Sequence, residues 1–138
     1  MGYTHYYRQS SDLDDLEWRN ITNGFIKLLA QYDESPVDIV FHHDYITIDG
    51  GYETFMVSKK MPKDEKFPSL DGYNFCKTAR LPYDELVTAC LIYLYYEVPN
   101  KFSISSDGDW SEWAAGRRLY NQTFNTNIEE DIFEKVEA

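Results

Sequence analysis

The chain reads as a single α+β domain spanning residues 1–138, an antiparallel sheet of about five or six strands with about three helices packed mainly on one face. Three observations lead there. Short period-two stretches rich in Tyr, Val and Ile are separated by turn residues. Other stretches repeat apolar residues at helical spacing. The length of 138 residues suits one core, since a domain of that size buries roughly two thirds of the surface its unfolded chain exposes.

Taken in order, Gly2 to Gln9 alternates Tyr3, His5 and Tyr7 against Thr4, Tyr6 and Arg8, which predicts a strand. Ser10 or Ser11 is the expected cap of a helix with an acidic first turn (Asp12, Asp14, Asp15). Its apolar stripe is Leu13, Leu16, Ile21, Phe25, Leu28 and Leu29, and it ends near Tyr32 before Ser35-Pro36. Val37 to Phe41, Tyr45 to Asp49 and Tyr52 to Lys59 are short strands of a meander, the last two joined through Asp49-Gly50-Gly51. Lys60 to Gly72, with Pro62 and Pro68, reads as an exposed loop.

The strand Tyr73 to Thr78 then leads to a helix opened by Pro82, with Leu86, Val87, Cys90, Leu91 and Leu94 facing inward. Pro99 ends it. Lys101 to Ser105 returns as a strand, Asp107-Gly108 turns, and Asp109 caps a last helix carrying Trp110, Trp113, Ala114, Arg117, Arg118, Leu119 and Tyr120. The tail from Ile128 to Ala138 spaces Ile128, Ile132, Phe133 and Val136 as a short docked helix would.

The net charge of −11 repels phosphates over most of the surface, so direct binding of nucleic acid or an anionic membrane is not expected. A protein or a small anionic, nucleotide-like ligand is the easier partner. Aromatic residues make up 17% of the chain, 12 of them tyrosines, a content that suits a half-buried sheet, a stacking surface or an interface. Tyr-rich strands and an amphipathic tail leave apolar surface that a homodimer would cover. Cys76 and Cys90 sit in predicted regular elements rather than in a short disulfide scaffold, which points to a reduced, cytoplasmic setting. Met1 to Gln9 does not have the charged-plus-apolar pattern expected of a leader, and the apolar run Leu86 to Tyr96 is too short to span a bilayer. The sequons at Asn20 and Asn121 therefore carry no glycan expectation.

The richest candidate site is the corner from Asn74 to Asp84, where a strand turns into the longest apolar helix. Lys77 and Arg80 flank Thr78 there, a setting in which backbone N–H groups and a helix dipole favour an anion. Tyr3, Tyr7, Tyr83 or Trp110 are placed to stack a base with Asp107 nearby, against the structural reading in which the arginines pair with Asp84, Asp107 or Asp109. His5 is a candidate general base, against the commoner role of a hydrogen-bonded structural histidine. Cys76 beside Lys77 is a candidate nucleophile if His5 lies across the sheet, against the commoner role of a buried, inert thiol. His42-His43-Asp44 is the one cluster of metal-type ligands. Adjacent strand residues point to opposite faces, so His42 and His43 cannot both ligate from one regular strand, although His42 and Asp44 could; a solvated strand end is expected there, with no metal and no cofactor. The chain holds no Gly-rich phosphate loop, no paired-cysteine deaminase signature and no Gly-x-Ser-x-Gly elbow.

Met1-Gly2-Tyr3-Thr4-His5-Tyr6, the block from Phe75 to Arg80 with Pro82-Tyr83-Asp84, and Ser105-Ser106-Asp107-Gly108 with Trp110 together resemble a family of small phage and prophage proteins that open MGYTHYW and share a CKTARxPYD block. Tyr7 stands where that family carries Trp. The resemblance implies a phage-linked accessory protein at work inside the infected host cell, and it implies no mechanism. The resulting expectation is a binding protein that interferes with a host system, as in counter-defence, by holding a host protein or a nucleotide-like ligand. The alternative is a small enzyme acting on a phosphorylated or nucleotide substrate. A third, weaker reading is an acidic mimic of DNA.

Overall fold

A computed structural model describes residues 3–134. The element order is β1 (Thr4–Gln9), α1 (Asp15–Gln31), β2 (Asp38–Phe41), β3 (Tyr45–Asp49), β4 (Phe55–Ser58), β5 (Tyr73–Lys77), α2 (Asp84–Glu97), β6 (Phe102–Ser106) and α3 (Ala114–Phe124). The class is α+β, as the patterning predicts. The six strands do not form one sheet, however. They form two antiparallel three-stranded sheets, one ordered β5-β1-β6 and the other β2-β3-β4.

The split has a local cause at the outer edge of β5. There the Lys77 N–H donates to the Glu53 carboxylate (2.8 Å), the Glu53 N–H donates to the Lys77 carbonyl (3.2 Å), and the Phe75 N–H is taken by the Asn74 side chain (2.8 Å). Side-chain oxygens thus occupy donors that a neighbouring strand would need, and the ladder stops. β4 lies beside β5 all the same, held by Tyr7 O–H (2.7 Å) and the Asn74 amide (3.3 Å), which both donate to the Met56 carbonyl.

Asp14, not Ser10 or Ser11, caps α1. Its carboxylate accepts from the Glu17 N–H while the Glu17 carboxylate accepts from the Asp14 N–H, a complete capping box. The chain cannot coil earlier, because the Leu13 N–H is committed to the Lys59 carbonyl and the Ser10 hydroxyl to the Asn100 carbonyl. Trp18, Ile21, Phe25 and Leu28 form the buried stripe, whereas Leu16 faces outward. Asp109 caps a single 3-10 turn, Trp110–Trp113, that feeds α3.

α2 is the centre of the molecule. Every residue from Leu86 to Leu94 is buried, so this helix is apolar all round rather than amphipathic. α1, α3 and the inner face of the β5-β1-β6 sheet surround it, while β3 and β4 turn Ile46, Ile48, Phe55 and Val57 into the same core. The segment 60–72 contains a 3-10 turn at Pro68–Leu70 and is tied by the Gly72 N–H to the Pro62 carbonyl. The tail is not helical through residue 134. Instead Phe133 makes a parallel bridge with Ile104 on the free edge of β6, and Ile132 is buried beside it; Val136 lies outside the described residues. Among the described residues no helix is long and apolar enough to cross a membrane.

The α2–α3 crossing depends on Gly116. A Cβ there would lie 1.9 Å from Thr88 Oγ1, and Thr88 cannot swing away without giving up its bond to the Asp84 carbonyl (2.8 Å). Overpacking of this kind costs about 1–3 kcal/mol. Gly116→Ala should therefore lower the melting temperature by roughly 3–10 °C in a thermal melt, against the small gain an exposed helical Gly→Ala change would give.

Candidate functional site

The corner between β5 and α2 is built on two consecutive residues in the left-handed region, Ala79 (φ 54°) and Arg80 (φ 60°). Each costs on the order of 1 kcal/mol for a residue with a Cβ. The surroundings hold them there: the Thr78 N–H donates to the Tyr3 carbonyl (3.1 Å), and the Leu81 N–H closes the turn on the Thr78 carbonyl (3.0 Å). The turn delivers Asp84 into the first turn of α2, directly under β1.

His5 lies at the middle of what gathers there, and it is wholly buried. Its Nε2 is 2.6 Å from Asp84 Oδ1 and its Nδ1 is 2.8 Å from Ser106 Oγ. Donor counting fixes the proton positions. Ser106 Oγ already accepts from two obligate donors, the Gly108 N–H (3.0 Å) and the Trp113 indole N–H (3.2 Å), so its own O–H points to Nδ1. His5 then carries its hydrogen on Nε2 and donates it to Asp84, whose Oδ1 also accepts from the Thr78 hydroxyl (2.6 Å). The rings of Tyr3 and Trp113 close edge-on about the imidazole at 5.0 and 4.9 Å.

The order hydroxyl, imidazole, carboxylate resembles a nucleophile relay, yet the geometry is that of a sealed network. Ser106 Oγ makes three hydrogen bonds and has no lone pair left for a substrate. Both nitrogens of His5 are occupied, so neither serves Cys76, its register partner on β5. Cys76 is fully buried. Burial pushes its thiol up to about 12, with the carboxylates of Glu53 and Asp84 adding to the effect, the opposite of what an activated nucleophile needs.

Above the network, the Arg80 guanidinium lies 4.0 Å over the Tyr3 ring and bonds Glu112 through Nη1 at 2.9 Å. Its carboxylate partner is thus Glu112, not Asp84, Asp107 or Asp109. The Tyr3 hydroxyl is shut off from solvent without an aligned partner. Burial pushes this phenol up to about 12, Asp84 and Glu112 adding to the rise while Arg80 and the nearby Ser106 oppose it.

The structure therefore brings Tyr3, His5, Thr78 and Arg80 together with Asp84, the last residue of the predicted corner, and adds Ser106, Glu112 and Trp113, which the sequence did not single out as site residues. The other candidates lie apart. Tyr7 is buried farther along β1 against Phe55 (5.3 Å). Tyr83 is buried and donates to the Glu53 carbonyl (2.6 Å). Lys77 ends β5 on its outward face. Asp107 accepts from the Thr4 N–H (3.0 Å) and the Tyr6 hydroxyl (3.2 Å). Trp110 is half-buried, donating to the Glu129 carbonyl (2.8 Å) beneath Arg117 (5.0 Å). Ser106 carried a signal in the sequence: the Ser-x-Gly spacing to Gly108 is that of a side chain reaching forward to a backbone N–H.

The exposed aromatics are a different set. Tyr6, Tyr73 and Phe75 are 40%, 51% and 56% exposed and share the outer face of the β5-β1-β6 sheet, where Tyr6 is paired with Phe75 and Arg8 with Tyr73. Arg8 covers the Tyr73 ring at 5.0 Å. Ser103 and Ser105 of β6 occupy the same face at the positions opposite Arg8 and Tyr6.

Removing the imidazole leaves Asp84 and Ser106 short of a partner inside the fold and opens a cavity. His5→Ala should thus cost about 3–5 kcal/mol by chemical denaturation. Arg80 is 62% exposed at its side chain, and Arg80→Ala should cost less than about 1.5 kcal/mol. Cys76 should resist alkylation in the native protein, its rate showing no midpoint near the ordinary thiol value of ~8.5. An unfolded thiol ionises near ~8.5, so the folded chain holds this proton more tightly. Its contribution to stability is complete below that pH and is lost as pH rises toward about 12.

Comparison of the chain with protein-family models, with curated proteins and with solved structures found no match.

Proposed function

We propose that this is a non-enzymatic binding protein that holds a host protein on the free face of the β5-β1-β6 sheet, and so interferes with a host system inside a phage-infected cell. The observation that carries the reading is the contrast between the two sides of one sheet. On the inner side the nucleophile and base candidates, Cys76 and His5, are buried and fully engaged. On the outer side Tyr6, Tyr73 and Phe75 stand exposed with Arg8 among them. Aromatic residues and Arg are the types enriched in protein interfaces and in their energetic centres, and grouped exposed apolar side chains mark interaction surfaces. The phage setting rests on the resemblance carried by the amino-terminal, Cys76–Arg80 and Ser105–Gly108 motifs.

A nucleotide-like ligand is the second reading, favoured by Arg8 lying over Tyr73 and by Lys77 at a same-face position of β5. A flat aromatic face beside cations stacks bases. A homodimer would bury the same face.

The double variant Tyr6→Ser/Phe75→Ser tests the assignment. Affinity capture from host extract should retain a protein with the native chain and lose it at least tenfold with the variant, while the melting temperature falls by only a few degrees, since an exposed cross-strand pair contributes about 0.2–1 kcal/mol. Equal retention by both proteins would refute the face as the docking surface. Saturable quenching of tyrosine fluorescence by nucleotides alone would favour the second reading, and light scattering that shows a dimer only with the native sequence would assign the face to self-association.

A further inference from the structure

We propose that the tip of the β2–β3 hairpin, His42, His43 and Asp44, is a binding site for a divalent transition-metal ion such as Zn2+ or Ni2+. Neighbouring side chains of a regular strand point to opposite faces, but these three residues lie between two strands. β2 ends at Phe41, and the three residues form the turn into β3, closed by the His42 N–H on the Tyr45 carbonyl (2.8 Å) and by the Lys59 N–H on the Asp44 carbonyl (2.9 Å). The turn puts both imidazoles on one side, with ring centroids 4.0 Å apart. Each of the three residues offers one ligand atom, and these atoms lie within 4.8 Å of one another.

The donor set selects the class of ion. Two imidazoles and one carboxylate suit Zn2+, Ni2+ and Cu2+, whereas Ca2+ and Mg2+ take oxygen ligands. Bonds of about 2.0–2.2 Å in a tetrahedral site place ligand atoms roughly 3.4 Å apart. His43 Nε2 and Asp44 Oδ2 already stand 3.2 Å apart. The wider spacing of the cluster closes by side-chain rotation at an exposed tip. Tyr45 stacks on the His42 ring at 4.4 Å and 16°, which limits how far that ring wanders. An ion on His43 Nε2 would replace the contact of that nitrogen with Asp44, the neutral ring carrying its one hydrogen on Nδ1. It would also displace the hydrogen bond from the Asp44 N–H to His42 Nδ1 (3.1 Å), a single exposed contact. Three protein ligands leave at least one coordination position for water.

Competition from the rest of the chain is weak. The third histidine, His5, is buried with both nitrogens engaged, and both cysteines are buried. Surface carboxylates remain as adventitious sites, and the net charge of −11 draws cations to them all alike.

Calorimetric titration of the tag-free protein with ZnCl2 and with NiCl2, in parallel with the double variant His42→Ala/His43→Ala, decides the matter. The expected result is one equivalent of tight binding in the native protein, weakened at least tenfold in the variant with its melting temperature in the absence of metal unchanged. Nitrogen hyperfine structure in the electron paramagnetic resonance spectrum of a stoichiometric Cu2+ complex, lost in the variant, would confirm imidazole ligation. Equal binding by the two proteins, or no binding by the native chain at millimolar free metal, overturns the site.

Discussion

The fold turns on one buried imidazole. His5 sits on β1, the central strand of the β5-β1-β6 sheet, and its two nitrogens reach in opposite directions, to Asp84 at the start of α2 and to Ser106 at the end of β6. Ser106 in turn receives the Gly108 N–H and the indole of Trp113, just before α3, while Asp84 receives the Thr78 hydroxyl from the corner after β5. One connected set of hydrogen bonds therefore ties the sheet's three strands to the starts of α2 and α3. Buried polar networks stabilise only when every member is satisfied, and here each donor and acceptor around Ser106 and Nε2 is accounted for. The two left-handed residues Ala79 and Arg80 follow from this constraint, because the chain must reverse tightly for Asp84 to meet His5.

That arrangement separates chemistry from surface. The residue types that suggest catalysis occupy the inner side of the sheet, where they lose contact with solvent: burial keeps the Cys76 thiol protonated and leaves His5 no nitrogen to offer. The outer side keeps large rings in water. Strand alternation alone produces the division, since Tyr6 and Arg8 must face away once His5 and Tyr7 face in.

The division into two sheets is a second consequence of polar side chains. Glu53 and Asn74 satisfy backbone donors on the free edge of β5, so β4 approaches without pairing, and the meander β2-β3-β4 turns its own apolar face into the shared core, where Phe55 meets Phe25 of α1. On the opposite edge the short bridge from Phe133 to Ile104 covers part of β6. Both edges are thereby blunted against further pairing.

The sequence by itself determined the fold class, five of the six strands to within about two residues at each end, the long apolar helix, and the corner as the place where polar residues converge. Period-two and helical spacing, turn residues and Pro82 are local signals, and local physics sets them. Turn residues also placed β2, β3 and β4 in one meander, whereas only the tertiary structure decided that β1 pairs with β5 and β6, through contacts remote in sequence that no local pattern encodes. It also decided which of two equivalent-looking sets of tyrosines is buried, whether Ser10 or Asp14 caps α1, and that the tail adds an edge bridge where its apolar spacing suggests a helix. The cap was decided by hydrogen bonds to distant carbonyls at Lys59 and Asn100, and the tail by the open edge of β6. The same holds at the candidate sites. Asp84 and Ser106 join His5, and His42 joins His43, through a left-handed turn, a strand pairing and a hairpin tip, all of which exist only once the chain has folded.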